Sequence, residues 1–458
     1  MFIEMMFAAA PIEPLFIRML KGFSHYFTLW IAFPLVVAFG LYLTYRLRCI
    51  QVMKLRHGFA SLIKKEVGTE GSISRFGAIS TVLAGNFGTG NISGMAVALT
   101  TGGPGALVWM WVMAFFGSAI QYASCILSMK FRYKTKEGEY VSGPMYYLRE
   151  GLGYKMLAAL FAVCTLFGAI TAGNFAQMHS MILPMKFLNL DPFYASLAIG
   201  TVVGIVILGG IKRISGLVTY LVPLKAALYL GTALVILFLY RDRIAEALFL
   251  MMHEAFDVSS LLGGMLGAGV WKALTTGFDR GLFATDAGTG LVPILQGGAR
   301  SKDPVLDGLA TLVAPVMVML VCTTTGLVLL VTGVWQQGLQ STNMVTHAFA
   351  EGLGSPVGGV IVIVSLILFG FTTMLAWAYC GEKAFGFLFG AEKGRWFRWV
   401  FIAFIPASNL IQLDLIWVLT DVAIVLMLVT NLIGVMRLSH LVIDSTREFN
   451  FSEKFPAA

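Results

Sequence analysis

Charged side chains are scarce in this chain of 458 residues. Asp, Glu, Lys and Arg together make up 12% of it, whereas hydrophobic residues make up 58%. A soluble protein of this length carries roughly twice that share of charge. The scarcity of charge therefore excludes an ordinary soluble protein and predicts an all-α polytopic membrane protein.

The chain also lacks the motifs of common metal, nucleotide and catalytic sites. Its five cysteines form no CxxC pair and its six histidines form no HExxH motif, so neither a disulfide framework nor a zinc site is predicted. The pairs Gly88/Gly90 and Gly288/Gly290 do not indicate a nucleotide loop, because GxxxxGK[ST] is absent and no predicted strand precedes them. Since the apolar segments hold no nucleophile–base cluster, we expect no enzyme activity and no cofactor.

The net charge of +8 does not indicate a nucleic-acid partner, because the basic residues lie in short loops between apolar segments. Of the 32 Lys and Arg residues, 24 lie in alternate loops and the C-terminal tail, and five lie on the opposite side. This bias predicts an outside N-terminus and a cytoplasmic C-terminus in a plasma membrane, expected to be a bacterial inner membrane. Membrane lipid is an expected partner, and no obligate protein partner is evident.

About eleven apolar segments are candidates for membrane spans. Residues 1–21 lack the pattern of a cleaved signal, since Glu4 precedes every Lys and Arg, and we expect an interfacial amphipathic segment there. The basic, amphipathic stretch 46–70 is expected at the membrane surface. The spans lie near residues 27–45, 74–101, 104–130, 155–183, 192–211, 214–240, 259–297, 304–334, 357–389, 395–411 and 413–436.

Two of these spans contain residues that interrupt a helix. The second span has four glycines within residues 85–94, with polar side chains between them, and each Gly costs a helix about 1 kcal/mol relative to Ala. The seventh span, 259–297, is too long for one crossing and contains glycines together with Asp279, Arg280 and Asp286. Unwound backbone at this depth persists where it lines a cavity or is packed in protein, although glycines also serve close helix packing.

The two interrupted spans are five crossings apart, so they enter the membrane from opposite sides. Interrupted spans in corresponding positions of two halves are typical of transporters with inverted repeats and a binding site between them. We therefore predict an N-terminal segment with one extra span (1–70), two five-helix repeats (71–242 and 243–440) and a cytoplasmic tail (441–458).

Several blocks resemble the alanine or glycine:cation symporter family of the amino acid–polyamine–cation superfamily. They are GNFGTGNISG followed by GGPGALVWMW, GPMYYL, GNFAQMHS, RGLFATDAGTG, LAWAYCGEKAF and the Asp421…Asn431 span. The resemblance runs from about Gln51 to Leu438. It implies a leucine-transporter-like fold of ten core helices in two inverted repeats, which agrees with the predicted topology, and import of small neutral amino acids with a cation, usually sodium.

The resemblance also implies a substrate pocket. The start of a half-helix can bind a carboxylate, and a buried amide can bind either end of a zwitterion. Aromatic rings can restrict the pocket to small side chains. Bridging between helices is the alternative for the amide, and core or lipid packing is the alternative for the rings. The implied residues are Thr89, Gly90, Asn91, Gln177, Phe283 and Trp377.

A cation site is implied beside this pocket. Its ligands would be backbone carbonyls at Ala84, Gly85 and Gly88 and the hydroxyls of Thr372 and Thr373. Carbonyl and hydroxyl oxygens suit sodium, the first candidate for the coupled ion, although threonines in helices also bond to their own backbone.

Two positions depart from the family's pattern. Thr285-Asp286 stands where the family has Asn-Glu, and His179 stands where Asn is expected. Either change could alter the substrate range or the sensitivity to protons. We expect Asp279, Arg280 and Asp286 to face the protein interior and to pair or line the cytoplasmic pathway, or else to reach water at the interface.

Lys225 lies in the middle of the sixth span, where the family has an apolar residue, usually Met. Its ammonium group could take the place of sodium and make transport proton-coupled or sodium-independent. The alternative is that Lys225 snorkels to an interface or pairs with an acid. We thus predict a secondary active transporter of alanine, glycine or D-alanine, with a non-transporting amino-acid sensor on the same scaffold as the alternative.

Overall fold

The computed structural model describes residues 15–63, 71–136, 138–183, 185, 191–256, 267–301 and 303–455. These residues are almost entirely helical. One short antiparallel ribbon pairs β1 (Tyr133–Lys134) with β2 (Tyr140–Val141). A single parallel bridge joins Ile73 to Ala299 within the described ranges.

Across the described ranges, seventeen helices build the bundle and its two interruptions. Helix α1 contains a π-helical turn at Thr28–Ala32, and α6 contains another at Thr171–Phe175. Short helical turns occupy Ile50–Met53, Thr89–Asn91, Pro144–Tyr146, Tyr147–Gly151, Arg241–Arg243, Val334–Gln336, Ala391–Arg395, Ser408–Leu410 and Phe451–Lys454. The helices are α1 (Leu15–Arg46), α2 (Leu55–Ile63), α3 (Arg75–Asn86), α4 (Ser93–Gly102), α5 (Ala106–Lys130), α6 (Lys155–Ile182), α7 (Pro192–Leu208), α8 (Gly210–Leu239), α9 (Ile244–Phe256), α10 (Gly267–Thr285), α11 (Leu291–Gln296), α12 (Pro304–Thr332), α13 (Ser341–Gly352), α14 (Pro356–Phe389), α15 (Trp396–Ala407), α16 (Leu413–Arg437) and α17 (Ser439–Glu448).

Within the described residues, every predicted span coincides with a helix or, at the two interruptions, with a pair of helices. Residues 259–266 of the predicted seventh span lie outside the described part. Seven helices of the described chain are long and apolar enough to cross a membrane. The chain is therefore a multi-pass membrane protein. The count of eleven spans and the division into inverted repeats remain predictions.

The start of α1 includes residues of the expected interfacial segment. Residues 15–21 belong to one helix that continues to Arg46, and their interfacial position stays a prediction. Residues 1–14 and 64–70 lie outside the described part. The helix α2 within the basic stretch 46–70 packs one face against α12, and Gly58 lies against the carbonyl of Leu309.

Local signals place the interrupted helices. The Ser74 hydroxyl caps α3 by accepting from the Gly77 N–H at 3.0 Å, which satisfies one free donor of the first turn. Helix α3 ends at Asn86, and Gly88 is extended, with φ −91° and ψ 179°. After α10, Gly288 and Gly290 both have φ +89°, a conformation that glycine adopts at little cost.

Packing brings the two interruptions to the middle of the bundle. Helix α10 lies against α4 and α5, while α3 lies against α8 and α14. The polar residues of the first interruption are buried rather than turned toward lipid, since Thr89, Asn91 and Ser93 are fully inaccessible. Irregular backbone at this depth thus lies inside protein, as the energetics of unpaired backbone groups require.

Candidate functional site

A small cavity lies where the two interruptions meet. The room for the centre of a water molecule is about 10 Å³, so the cavity holds about one water and would have to widen for an amino acid. It is lined by Gly85, Asn86, Gly88, Gly90, Asn91, Gln177, Phe283, Ala284, Asp286, Thr373 and Trp377.

The structure brings the implied substrate residues together. Five of them line the cavity directly, namely Gly90, Asn91, Gln177, Phe283 and Trp377. The sixth, Thr89, is held at its edge by hydrogen bonds to Gln177.

The amide of Gln177 joins α6 to the first interruption. Its Oε1 accepts from both the N–H and the hydroxyl of Thr89, each at 3.0 Å. Its Nε2 donates to the carbonyl of Ala172 at 3.0 Å, within the π-helical turn of α6. Gln177 thus bridges two helices and also lines the cavity. Its implied place in the substrate pocket and the alternative of bridging between helices are therefore compatible. π-Helical turns occur frequently at functional sites.

Two glycines make room for the aromatic walls. A Cβ atom at Gly90 would lie 2.2 Å from Cε1 of Phe283, and one at Gly173 would lie 2.3 Å from Cβ of Trp377. These distances are far below van der Waals contact, so each ring requires a residue without a side chain beside it. The position of Gly173 is a feature that the sequence analysis missed, although it opens the block GNFAQMHS.

A charged pair covers the Phe283 side of the cavity. Nη2 of Arg280 donates to both carboxylate oxygens of Asp421 at 2.6 Å. The guanidinium lies over the ring of Trp417, with Cζ 4.9 Å from the ring centre. Trp417 in turn makes an edge-to-face contact with Phe283 at 5.2 Å between centroids. Arg280 therefore faces the interior and pairs with Asp421.

The position of Asp279, Arg280 and Asp286 on the cytoplasmic pathway stays a prediction. Asp279 and Arg280 line a second cavity together with Lys21 and Thr101. The predicted topology places Lys21 and the end of α4 on the outer side. Under that topology these two residues line the outer pathway, whereas Asp286 lies in the central cavity.

The implied cation ligands lie beside the first interruption, at the end of α3. The Thr373 hydroxyl donates to the carbonyls of Ala84 at 2.8 Å and Gly85 at 3.3 Å. The Gly88 carbonyl accepts from the Asn91 N–H at 3.2 Å and so is used within the turn. The structure thus places Ala84, Gly85 and Thr373 around one point.

The ammonium group of Lys225 reaches this cluster. Lys225 is fully buried, and its Nζ donates to the carbonyl of Phe87 at 2.8 Å and to the hydroxyl of Thr372. Nζ also lies over the ring of Phe369, 4.7 Å from its centre. In the described part of the chain, Lys225 forms no ion pair with an acid, and it does not extend to an interface.

Two cavity residues, Asn86 and Ala284, belong to none of the sets of site residues named from the sequence. Asn86 is the last residue of α3 and donates through Nδ2 to the carbonyl of Thr285 at 2.6 Å. This bond ties the end of α3 to the end of α10. A polar residue directly before an interruption is the sequence signal that points to Asn86, whereas Ala284 offers none.

Comparisons with known proteins identify the family of the chain. The profile of the sodium:alanine symporter family matches residues 15–456. The chain belongs to this family. An uncharacterized transporter of Haemophilus influenzae is 39% identical over 417 residues, covering 90% of this chain and 91% of that protein. The sodium/alanine symporter AgcS of Methanococcus maripaludis is 36% identical over 430 residues, covering 91% and 93%.

A solved structure shows a related architecture. A manganese transporter of Eremococcus coleocola matches with a TM-score of 0.52 at 14% identity, covering 81% of this chain and 78% of that one. At this identity the likeness concerns the fold alone. Membership of the family itself supports amino acid:cation symport.

Proposed function

We propose that this family member imports a small neutral amino acid together with a cation by alternating access. The observation that carries the proposal is the small cavity between the two interruptions, with an amide on one side and two aromatic rings on the others. Sites at the midplane between interrupted helices are typical of secondary transporters. A cavity this small favours glycine, L-alanine or D-alanine, and a relative that shares 36% of its residues is named a sodium/alanine symporter.

The parts of the cavity have distinct proposed roles. The Thr89–Asn91 turn precedes α4, and the N-terminal end of a helix attracts a carboxylate. Gln177 holds the turn in place through Thr89. Phe283 and Trp377 limit the side chain of the substrate to a hydrogen or a methyl group.

Sodium is the first candidate for the coupled ion. The Ala84 and Gly85 carbonyls and the Thr373 hydroxyl form a cluster of neutral oxygens, and such oxygens suit a hard cation. The name of the Methanococcus relative supports the same ion.

The position of Lys225 favours a second candidate. Its ammonium group already bonds to the Phe87 carbonyl and to Thr372, one of the two hydroxyls implied as cation ligands. A fixed positive charge at these oxygens performs the neutralising task of a bound cation. Gain and loss of a proton at Lys225 would then couple transport to a proton gradient rather than to sodium.

Uptake into proteoliposomes tests the proposed function. Purified protein should accumulate radiolabelled glycine, L-alanine or D-alanine when an ion gradient is imposed, and should show counterflow without one. Gln177→Ala and Trp377→Ala should abolish uptake while the protein still folds. Matched exposed substitutions, Gln336→Ala and Trp399→Ala, should leave the rate unchanged.

Two outcomes would contradict the proposal. A parent protein that shows no exchange of any of these amino acids would support a sensor instead. Transport at the parent rate by both cavity variants would show that the cavity is not the substrate site.

A further inference from the structure

Two oxygen atoms at the central cavity lack a hydrogen-bond donor among the described residues. They are Oδ1 of Asn86 and Oδ1 of Asp286, both shielded from solvent. Both residues line the cavity and expose 2% and 3% of their surfaces. A buried acceptor without a donor costs free energy of about 1–3 kcal/mol, and more when it is charged. Such atoms point to a missing donor.

Other polar side chains of the cavity are already partnered. Both ends of the Gln177 amide are bonded, and so are both ends of the Asn91 amide. The Thr373 hydroxyl donates to the carbonyls of α3. The cavity therefore has unused acceptors, one of them on a carboxyl group, and none of its lining residues is basic.

The orientation of the Asn86 amide is fixed by its own contact. Its Nδ2 donates to the Thr285 carbonyl at 2.6 Å. The opposite assignment would place Oδ1 against that carbonyl oxygen, which is repulsive, so Oδ1 is the atom left without a donor.

The turn that carries Asp286 is held from several sides. The Asp286 N–H donates to the Leu282 carbonyl at 2.9 Å, and the Thr289 hydroxyl donates to the Asp286 carbonyl at 2.8 Å. Nδ2 of Asn431 donates to the Gly288 carbonyl at 2.7 Å. Asp286 also has φ +49°, an unusual conformation for a residue with a side chain. These hydrogen bonds fix the backbone around Asp286 and so hold its carboxyl group at the cavity.

The local field favours a positive group at this place. Asn86 ends α3 and Asp286 directly follows α10, so two helix C-termini meet at the cavity. Each C-terminus carries a partial negative charge, which attracts a cation.

We infer that Asp286, assisted by Oδ1 of Asn86, binds the ammonium group of the transported amino acid. The inference rests on the proposed function and fixes the orientation of the substrate. The ammonium group points toward the end of α10, and the carboxylate points toward the Thr89–Asn91 turn. A primary ammonium brings three N–H donors, so one group can satisfy both acceptors. Asp286 is then a specificity residue that separates amino acids from 2-hydroxy acids of the same size.

Binding measurements on three proteins test the assignment. The parent, Asp286→Asn and Asp286→Glu are compared for displacement of radiolabelled L-alanine by unlabelled L-alanine and by L-lactate. A hydrogen bond to a charged group is worth roughly a 10- to 150-fold change in affinity, so Asp286→Asn should weaken L-alanine binding by that factor. In Asp286→Asn, the affinity for L-lactate, which lacks the ammonium, should rise relative to that for L-alanine. Asp286→Glu should recover part of the preference for L-alanine over L-lactate.

Controls separate this role from a structural one. Asp242→Asn makes the same chemical change at an exposed side chain and should leave both affinities unchanged. If Asp286→Asn does not fold, Asp286→Ser supplies a second neutral variant, and N-trimethylation of L-alanine removes the donors from the ligand instead. Trimethylated L-alanine should bind the parent far more weakly than L-alanine.

The outcomes are distinguishable. An Asp286→Asn or Asp286→Ser protein that binds L-alanine like the parent and still rejects L-lactate overturns the inference and leaves the proposed function intact. A parent that binds trimethylated L-alanine as tightly as L-alanine also overturns it. A parent that binds none of the small neutral amino acids overturns the proposed function and the inference with it.

Discussion

Replacement of Lys225 by Met tests which cation is coupled to transport. The change removes a buried positive charge and keeps an unbranched side chain of similar length. It leaves the Phe87 carbonyl and the Thr372 hydroxyl without the ammonium that they now bond. These two oxygens adjoin the cluster around Thr373, so a sodium ion could use them in the variant.

The loss of sodium affinity caused by the Lys225 ammonium follows from the distances. Nζ lies 2.8 Å from the Phe87 carbonyl, so a sodium ion bound to the same oxygens would lie about 4 Å from Nζ. Two like charges at 4 Å repel by about 4 kcal/mol at an effective dielectric constant of 20. That energy corresponds to roughly a thousandfold loss of sodium affinity. The fixed ammonium and a sodium ion therefore exclude each other at this site.

The second candidate, a proton carried by Lys225, predicts a change of coupling ion. The parent should then take up alanine without sodium and should respond to an imposed proton gradient. Lys225→Met should lose the response to the proton gradient and should need sodium. Its stability should change little, since exchanging a buried charge for an apolar group of similar volume removes a desolvation cost as well as hydrogen bonds.

The assay is alanine uptake into proteoliposomes with the sodium gradient and the pH gradient imposed separately. Lys212→Met is the matched control, because Lys212 is exposed near the start of the same helix α8. Strict sodium dependence of the parent, unchanged in Lys225→Met, would refute the reasoning and leave sodium as the coupled ion.

Two further substitutions test the walls of the cavity. Gly90→Ala should lose alanine binding, because its Cβ would lie 2.2 Å from Cε1 of Phe283, and wild-type uptake by this variant would show that the ring lies elsewhere. Arg280→Gln should lower the thermal unfolding midpoint, because Asp421 loses its partner and breaking a buried pair costs roughly 3–5 kcal/mol. The double variant with Asp421→Asn should recover part of that loss, and an unchanged midpoint in the single variant would argue against the pair.

Local sequence signals were sufficient to predict the positions of the helices and of their two interruptions. Apolar segments long enough to span a membrane, separated by basic loops, predict helices at nearly the observed positions. The glycines around Gly88 and Gly288 predict where α3 and α10 end, because helix formation at those points is unfavourable whatever surrounds them.

Contacts between distant segments were not predictable in the same way. Nothing in the local sequence shows that Arg280 meets Asp421, 141 positions away, or that Gly173 makes room for Trp377. The presence of Lys225 in an apolar span indicates an unusual group, but its partners depend on how α8 packs against α3 and α14. The position of Asp279 in a cavity with Lys21 and Thr101 likewise depends on packing and not on local pattern.

The geometry of the first interruption suggests how ion and substrate are coupled. Groups of the two proposed sites lie within one short segment: Thr373 bonds to the carbonyl of Ala84, Lys225 to that of Phe87, and Gln177 to Thr89. Only the extended residue Gly88 separates the Lys225 contact from the Gln177 contact. A shift of the Phe87 carbonyl, on loss of a proton from Lys225 or on entry of a sodium ion, therefore displaces Thr89 and the turn proposed to hold the substrate carboxylate. The two proposed ligands need no long pathway to influence each other, because their proposed sites lie on adjacent parts of the same unwound backbone.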